Sequence, residues 1–229
     1  MSNIIIDEIE IGNGCVPYLI AEVGINHNGS VDECIKLIRS AKNCGANAVK
    51  LQAFIPEEFL TRNSKYFDTF SLLSFDENQY ETLFKEAALS DITIFSSVFD
   101  NKSLEIMEKL NCPAYKVASG DIDHLPLLKN FAKTGKPIII STGGATLDDC
   151  KNALSCIREE NPNSEVALLH CVSNYPLEVR DANLSVIETL KNEFKVPVGF
   201  SDHSIGEILP IAATSLGADI IEKHFTLNT

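Results

Sequence analysis

Residues 137–171 read PIIISTGGATLDDCKNALSCIREENPNSEVALLHC. A short apolar run over 137–142 is followed by a helical pattern over 147–159 and by a second apolar run over 166–171. Two such runs joined by a helix are typical of parallel strands connected by a right-handed crossover. The stretch therefore predicts one strand–helix–strand unit.

The same alternation covers most of the sequence. Apolar runs predict strands at 17–24, 48–54, 92–99, 114–119, 137–142, 166–171, 196–203 and 218–226. Helical patterns lie between them at 30–43, 76–90, 102–110, 125–133, 147–159, 183–194 and 207–216. Eight strands in a chain of 229 residues favour an α/β fold of the (β/α)8 TIM-barrel type. An open doubly wound sheet is the alternative, although the segment 24–29 lacks the Gly-rich dinucleotide fingerprint.

Three further segments lie outside this alternation. Residues 4–12 alternate weakly and predict an N-terminal β-hairpin at the bottom of the barrel. Residues 55–75 predict a long, aromatic-rich loop, and loops of this length in compact domains are often functional. The sequence reaches residue 229 just after the eighth strand, so we expect one TIM-barrel domain over 1–229 that lacks the eighth helix.

The composition argues against several classes of protein. Hydrophobic residues make up 45% and charged residues 22%, which is typical of a soluble globular chain. A net charge of −13 disfavours binding to nucleic acid or anionic lipid. We expect neither a membrane span nor a signal peptide, because the apolar runs are short and the first residues carry acids. Seven cysteines without a Cys-x-x-Cys motif predict reduced thiols in a cytoplasmic protein, with a catalytic Cys171 as a further alternative.

Polar residues are concentrated at the carboxyl ends of the predicted strands, where TIM barrels carry their active sites. The candidates at these ends are Glu22, Lys50, Gln52, Ser97, Lys116, Ser119, Asp121, Ser141, Ser173, Tyr175, Ser201, His203, Glu222 and His224. All eight strand ends contribute to this set. The pattern therefore predicts an active site at this end of the barrel.

Two of the candidates, Lys50 and Lys116, are lysines within apolar runs, where an unpaired charge is costly. One interpretation is a structural ion pair or an outward tilt to solvent. A second is an anion pocket, in which the lysines and serine hydroxyls bind a small phosphate or carboxylate. A third is a Schiff-base lysine with an electrostatic helper.

His203 and His224 end two neighbouring strands. Because side chains alternate along a strand, Ser201 and His203 share one face, and Glu222 and His224 share another. If both faces turn inward, the two imidazoles converge and suit a first-row divalent metal. A structural role for each histidine is the alternative. His27, in the first loop after a strand, is either catalytic or stabilises the loop.

Seven motifs carry a resemblance to a known family. They are IAEVGINHNG (20–29), VKLQ (49–52), KVASGD (116–121), STGG (141–144), LHCVSNYP (169–176), GFSDH (199–203) and EKHFT (222–226). Together, in this order, they resemble the N-acetylneuraminate (sialic acid) synthase family, which includes legionaminic acid, pseudaminic acid and spore-coat polysaccharide synthases. The resemblance implies condensation of phosphoenolpyruvate with an open-chain N-acetylhexosamine aldehyde, which yields a nonulosonic acid and phosphate.

By motif position, the resemblance also implies a role for each candidate. His203 and His224 would hold a divalent ion, foremost Mn²⁺, with Mg²⁺ or Co²⁺ as alternatives. The contacts to phosphoenolpyruvate would be Lys50, Ser97, Lys116, Ser119, Ser141, Ser173, Tyr175 and Ser201. Glu22 and Glu222 would be the site carboxylates with Gln52 nearby, and Asp121 would lie on the sugar side. Some relatives have Asn at the position of Ser173 and Glu at that of Asp121.

Members of the family carry a small antifreeze-like domain after the barrel, which reaches over the partner's barrel in a homodimer. This sequence does not include that domain, so we expect the chain to bind metal and phosphoenolpyruvate but to turn over sugar poorly. Three other functions stay open: a Schiff-base aldolase using Lys116 or Lys50, a related synthase acting on a phosphorylated aldose, and a truncated, non-catalytic binding barrel. The lack of an arginine cluster at the strand ends disfavours the second of these.

Overall fold

The computed structural model describes residues 3–12 and 14–228. Two short antiparallel strands form a hairpin, β1 (Ile4–Ile6) and β2 (Ile9–Ile11). Eight parallel strands then close into a barrel: β3 (Tyr18–Gly24), β4 (Ala48–Ala53), β5 (Thr93–Val98), β6 (Tyr115–Val117), β7 (Ile138–Ser141), β8 (Val166–Cys171), β9 (Val198–Asp202) and β10 (Ile220–His224). Neighbouring strands follow chain order from β3 to β9, and β10 pairs with both β9 and β3.

Helices alternate with the barrel strands. Those in the described residues are α1 (Val31–Asn43), α2 (Pro56–Phe59), α3 (Phe67–Leu73), α4 (Glu77–Leu89), α5 (Asn101–Lys109), α6 (Leu125–Thr134), α7 (Leu147–Glu160), α8 (Val186–Phe194) and α9 (Ile208–Ser215). The predicted (β/α)8 fold is therefore confirmed, with each predicted strand and helix present. None of the described helices combines the length and the apolar character needed to cross a membrane.

One prediction was wrong in part. The segment 55–75 contains the short helices α2 and α3 and is not a continuous loop. Aromatic side chains hold these helices, because Phe59 packs against Phe70 and Phe99 at ring-centroid distances of 5.5 and 5.0 Å. Two helices of this length have too few apolar positions to show a helical period in the sequence.

By internal packing, the chain divides into two compact units. The first unit comprises residues 1–20 and 114–223. Its core includes the apolar run Ile138, Ile139 and Ile140, which is fully buried. The N-terminal hairpin belongs to this unit, and the Ile5 N–H donates to the Glu165 carboxylate at 2.8 Å. Because Glu165 directly precedes β8, the hairpin lies at the amino end of that strand, as predicted.

The second unit comprises residues 21–113 and 224–229. In it, β4 and β5 pair in parallel over six residues each, from Ala48 opposite Thr93 to Ala53 opposite Val98. The helices α1 and α4 pack together, and Arg39 binds Glu86 through two hydrogen bonds of 2.6 and 3.0 Å. The strand ends of each unit carry a separate cluster of polar side chains.

Candidate active site

In the second unit, four predicted site residues form one polar cluster. Lys50 Nζ lies 2.5 Å from Glu22 Oε2 and donates to Ser97 Oγ at 2.8 Å. Gln52 Nε2 donates to the other carboxylate oxygen, Glu22 Oε1, at 3.3 Å. Lys50, Glu22 and Ser97 are each buried. The contact between Lys50 and Glu22 agrees with the interpretation that Lys50 belongs to an ion pair.

Strand register explains how Lys50 reaches this cluster. Lys50 is paired in register with Phe95, and Gln52 with Ser97. Because in-register residues of parallel strands face the same side, the Lys50 side chain extends toward the carboxyl end and meets the hydroxyl two residues beyond Phe95. A lysine one layer below the rim therefore places its ammonium at the rim.

The first unit repeats this arrangement with Lys116 and Ser141. Lys116 is paired in register with Ile139, and its Nζ donates to Ser141 Oγ, two residues further on, at 2.6 Å. The same ammonium donates to the Val117 carbonyl at 2.9 Å. Lys116 is 2% exposed and Ser141 is 3% exposed, so this charge lies well inside the unit.

Three further strands of the first unit place polar groups in one row. Cys171 is in register with Ser201, and Ser201 is in register with Glu222. Ser201 Oγ donates to Glu222 Oε1 at 2.8 Å, and the Cys171 thiol bonds with the Ser119 and Ser201 hydroxyls. Burial raises the pKa of Cys171, which keeps the thiol protonated and argues against a catalytic thiolate.

Cys171 is the residue of this cluster that the sequence analysis left outside its set of site residues. The signal was available, because Cys171 is the last residue of a predicted strand. The alternation rule that joins Ser201 to His203 also gives Cys171 the same face as Ser173. Its contacts with two predicted hydroxyls make it part of the site's framework.

Ser119 and Ser173 meet at the backbone of Gly143. The Gly143 N–H donates to Ser119 Oγ at 3.0 Å. A Cβ atom added at Gly143 would lie 2.6 Å from Ser173 Oγ and 2.8 Å from Ser119 Oγ. No side chain fits in that space, so the absence of a Cβ at Gly143 brings the two hydroxyls together. The loop continues into α7, where Thr146 and Asp149 form a capping box.

His203 and Tyr175 form a second contact in the first unit. His203 Nδ1 lies 2.8 Å from the Val172 carbonyl, which can only accept, so this nitrogen carries the proton. Nε2 then accepts from the Tyr175 hydroxyl at 2.9 Å. The two rings are stacked with centroids 4.0 Å apart. This tautomer directs an imidazole lone pair away from the backbone.

The remaining candidates are His224 and Asp121. His224 is exposed, is the last residue of β10 and belongs to the second unit. Its neighbour Lys223 takes the other face and lies 2.5 Å from Asp202, as strand alternation requires. Asp121 is half-buried in the turn after β6, and burial is the main cause that raises its pKa.

The donors for a divalent metal are distributed over several strand ends. Among residues 3–12 and 14–228, no group of three or more His, Cys, Asp and Glu side chains is arranged to hold a metal ion. The His203 imidazole nevertheless fits such an ion, because a ligating histidine commonly donates its other N–H to a carbonyl. The predicted metal site therefore stays a prediction.

TIM-barrel enzymes carry their active sites at the carboxyl ends of the strands. This chain has its buried lysines, carboxylates and hydroxyls at these ends, which is the architecture of that class of enzymes. The chain belongs to the NeuB family, whose model matches residues 37–229. The family resemblance stated from the motifs is thereby confirmed.

Individual relatives agree with this assignment. The chain is 42% identical over 228 residues to a pseudaminic acid synthase of Helicobacter pylori, covering 93% of this chain and 66% of the relative. It is 34% identical over 234 residues to an N,N'-diacetyllegionaminic acid synthase of Legionella pneumophila, covering 95% and 66%. The chain thus spans about two thirds of the length of these relatives.

A solved structure gives the same result. The crystal structure of the N-acetylneuraminic acid (sialic acid) synthetase of Leptospira borgpetersenii, in complex with citrate, matches with a TM-score of 0.95. The identity is 35%, and the match covers 99% of this chain and 79% of that one. The chain is therefore a member of the family of sialic and other nonulosonic acid synthases.

Proposed function

We propose that this chain is the barrel of a synthase that joins phosphoenolpyruvate to the open-chain aldehyde of an N-acetylated amino sugar and releases phosphate. The observation that carries the proposal is the repeated lysine–serine geometry, Lys116 with Ser141 and Lys50 with Ser97. Each unit thereby supplies an ammonium and a hydroxyl at the carboxyl end of the strands. The names of the relatives support the same reaction class.

The first unit supplies most of the groups that bind phosphoenolpyruvate. The ammonium of Lys116 and the hydroxyl of Ser141 are donors of the kind that phosphate and carboxylate oxygens accept. Further contacts assigned to this substrate are Ser119, Ser173, Tyr175 and Ser201, together with Lys50 and Ser97 of the second unit. Because the lysines are buried, they orient the anion as well as neutralise it.

In the reaction, the methylene carbon of phosphoenolpyruvate attacks the aldehyde carbon. A carbon–carbon bond forms with the electron pair of the enol double bond, and the C=O π pair moves to the aldehyde oxygen, which takes up a proton and becomes a hydroxyl. Positive charge develops at the carbon that bears the phosphate ester, where water adds and loses a proton. Phosphate then leaves with its bridging oxygen, and loss of the second water proton gives the keto acid. Glu22 is assigned to steer this water, since its carboxylate is held by Lys50 and Gln52.

Glu222 has a different assigned role. Its carboxylate accepts from the Ser201 hydroxyl at 2.8 Å. This bond fixes the direction of the Ser201 O–H and therefore the direction of the oxygen lone pairs. Glu222 thus orients a substrate contact and adds negative charge beside it. On the acceptor side, Asp121 is assigned to the sugar, and burial raises its pKa, so this carboxyl group keeps its proton to a higher pH than an exposed aspartate does.

His203 and His224 are proposed to hold a divalent ion, Mn²⁺ before Mg²⁺ or Co²⁺. When bound, such an ion acts as a Lewis acid on a carbonyl oxygen. The bond from His203 Nδ1 to the Val172 carbonyl fixes the tautomer in which Nε2 would be the nitrogen offered to the ion. The Tyr175 hydroxyl donates to that nitrogen in the structure and would compete with the ion for it.

The expected cytoplasmic location and the family homodimer are part of the same proposal. The seven cysteines lie in the described residues and none forms a disulfide there, in keeping with the proposed location. For the acceptor, the relatives named above make different N-acylated sugar acids, so the proposal commits to the class of N-acetylated hexosamine aldehydes and to no single member.

The test is phosphate release by the purified protein with phosphoenolpyruvate, Mn²⁺ and a panel of N-acetylated aldose acceptors. Because we expect this chain to turn over sugar poorly, the expected result is slow phosphate release that requires an acceptor, stops with a chelator and returns with Mn²⁺. Borohydride trapping with pyruvate is the discriminating control, because a Schiff-base aldolase would form a covalent adduct on Lys116 or Lys50. Such an adduct, or acceptor-independent phosphate release, would overturn the proposal.

A further inference from the structure

His27 lies outside both polar clusters, in the loop 24–29 that follows β3. Its side chain is 1% exposed and stacks on Phe75 with ring centroids 4.2 Å apart and an interplanar angle of 26°. Phe75 follows α3 and belongs to the segment 55–75. The imidazole therefore joins the first loop at the carboxyl ends of the strands to the aromatic segment after β4.

The imidazole of His27 is hydrogen-bonded to the backbone of its own loop. Nδ1 accepts from the Gly29 N–H at 3.0 Å, and a hydrogen bond with the Gly24 backbone opposes the fall in its pKa that burial causes. The two bonds close the loop by tying its first glycine to its last.

The first of these glycines touches the predicted site. Gly24 has a φ of +56°, and a Cβ placed there would lie 3.2 Å from Glu22 Oε1 and 3.5 Å from Gln52 Nε2. The backbone at Gly24 therefore lies against the hydrogen bond between Gln52 and Glu22. Any movement of Gly24 changes the space in which the Glu22 carboxylate is held.

The last glycine is fixed on the opposite side of the loop. Gly29 has a φ of +76°, and a Cβ there would lie 2.2 Å from the Leu72 carbonyl oxygen. Asn26, between the two glycines, donates its Nδ2–H to the Phe225 carbonyl at 2.9 Å. Three residues of the loop thus contact other segments: Asn26 contacts Phe225, His27 contacts Phe75, and Gly29 lies close to Leu72.

We propose that His27 is a positioning residue, which holds the loop 24–29 in the conformation that keeps the Glu22 carboxylate between Lys50 and Gln52. The effect on turnover rests on the proposed function, whereas the effect on the loop does not. A direct catalytic role does not fit, because the imidazole is buried, stacks on Phe75 and accepts at Nδ1 from the Gly29 N–H. His27 acts on the reaction through Gly24 and Glu22.

Three variants separate the contacts that His27 makes. His27→Phe keeps a ring on Phe75 but removes both backbone bonds. His27→Asn offers an acceptor to the Gly29 N–H but loses the ring, and His27→Ala removes both the ring and the side-chain hydrogen bonds. His170→Asn is the matched control, because His170 is also a buried imidazole whose Nε2 donates to a backbone carbonyl, that of Ala182, at 2.7 Å.

The first measurement is amide hydrogen exchange together with the crystal structure of each variant, neither of which depends on activity. In His27→Phe and His27→Ala we expect faster exchange over residues 24–29, a displaced Gly24 and loss of the Gln52–Glu22 hydrogen bond. Unchanged positions of Gly24 and Glu22 would overturn the inference. Because this result needs no substrate, it stays decisive if the proposed reaction is not observed.

The second measurement is the kinetics of phosphate release by the folded protein. We expect kcat to fall roughly ten- to a hundred-fold in His27→Phe with a smaller change in the KM for phosphoenolpyruvate, because outer-shell supports typically have effects of this size. His27→Asn should recover part of kcat. His170→Asn should keep kcat although its unfolding midpoint falls. Equal losses of kcat in His27→Phe and His170→Asn would show that His27 is merely structural.

Discussion

The ammonium of Lys50 lies 2.5 Å from the carboxylate of Glu22, and the two side chains are 4% and 6% exposed. A buried ion pair of this kind is strongly destabilised when one partner is removed, because the other charge is left without compensation. The pair therefore ties the stability of the second unit to the residues proposed for its chemistry.

We predict that Lys50→Met lowers the free energy of unfolding by about 3–5 kcal/mol, since it leaves the Glu22 carboxylate buried alone. Urea unfolding of the purified protein measures the change. The matched control is Lys36→Met, which removes a lysine whose ion pair with Glu33 is exposed, and this change should leave the midpoint almost unaltered. Equal midpoints for the two variants would contradict the buried pair.

A second prediction concerns Lys116. Replacing it by Met removes a charged donor from the proposed anion site, so affinity for phosphoenolpyruvate should fall by about 1.5–3 kcal/mol, or roughly tenfold or more. Calorimetric titration measures both this affinity and that for Mn²⁺, which should change little. Lys129→Met, on the exposed face of α6, is the control for charge. An unchanged affinity in Lys116→Met would remove Lys116 from the anion site.

A third prediction concerns the proposed metal ligand. His203→Ala should abolish Mn²⁺ binding and leave the fold nearly intact, because His203 is only half-buried. Tyr175→Phe removes the hydroxyl that bonds His203 Nε2 at 2.9 Å, so its Mn²⁺ affinity should stay equal or rise. His124→Ala, an exposed histidine, controls for nonspecific binding. If His203→Ala binds Mn²⁺ as the parent does, the ligand assignment is wrong.

A fourth prediction tests the close approach at Gly143. In Gly143→Ala, the new methyl would collide with Ser173 Oγ and Ser119 Oγ, and affinity for phosphoenolpyruvate should fall by about 1 kcal/mol as a hydroxyl is displaced. Adding Ser173→Gly relieves the tightest contact and should restore stability better than it restores affinity. Gly120→Ala is the control, because a Cβ there meets open space. Identical effects at both glycines would refute the collision.

A fifth prediction is a pH dependence from His27. Burial lowers its pKa from 6.5 to about 4, and the bond to Gly24 opposes this shift. The unfolded chain then binds a proton that the native state refuses, so the stabilisation is complete above pH 6.5 and is lost as the pH falls toward 4. The free energy of unfolding lost over this pH range is about 3 kcal/mol. Urea unfolding at several pH values measures the change. The free energy of unfolding should depend less steeply on pH in His27→Asn than in the parent protein, and equal pH dependence in the two would contradict the prediction.

Strand alternation was sufficient to predict which residues of one strand end share a face. It grouped Ser201 with His203 and Glu222 with His224, whereas the hydrogen bond of 2.8 Å between Ser201 and Glu222 joins two strands. The register between parallel strands has no comparable signal, because the helix between two strands sets no fixed offset. The partner of Lys50 could therefore not be predicted, although both Lys50 and Glu22 were identified.

Contacts that join separate loops were also beyond prediction. Ser119, Gly143 and Ser173 follow three different strands, and nothing in their local sequence shows that a Cβ at Gly143 would collide. His27 was left between two roles for the same reason, since its partner Phe75 lies 48 residues further along the chain. Such contacts depend on tertiary packing, whereas the polar character of each strand end depends on its own residues.

The pairing of β9 with β10 sets Glu222 beside Ser201 and Lys223 beside Asp202. A frame-preserving loss of one codon within β10 would exchange the two faces of the residues beyond it, which sends an ammonium inward and a carboxylate toward the outer helices. Loss of two codons would keep each remaining side chain on its original face and would only shorten the strand. Over evolutionary time, tolerated length changes in this strand should therefore come in even numbers.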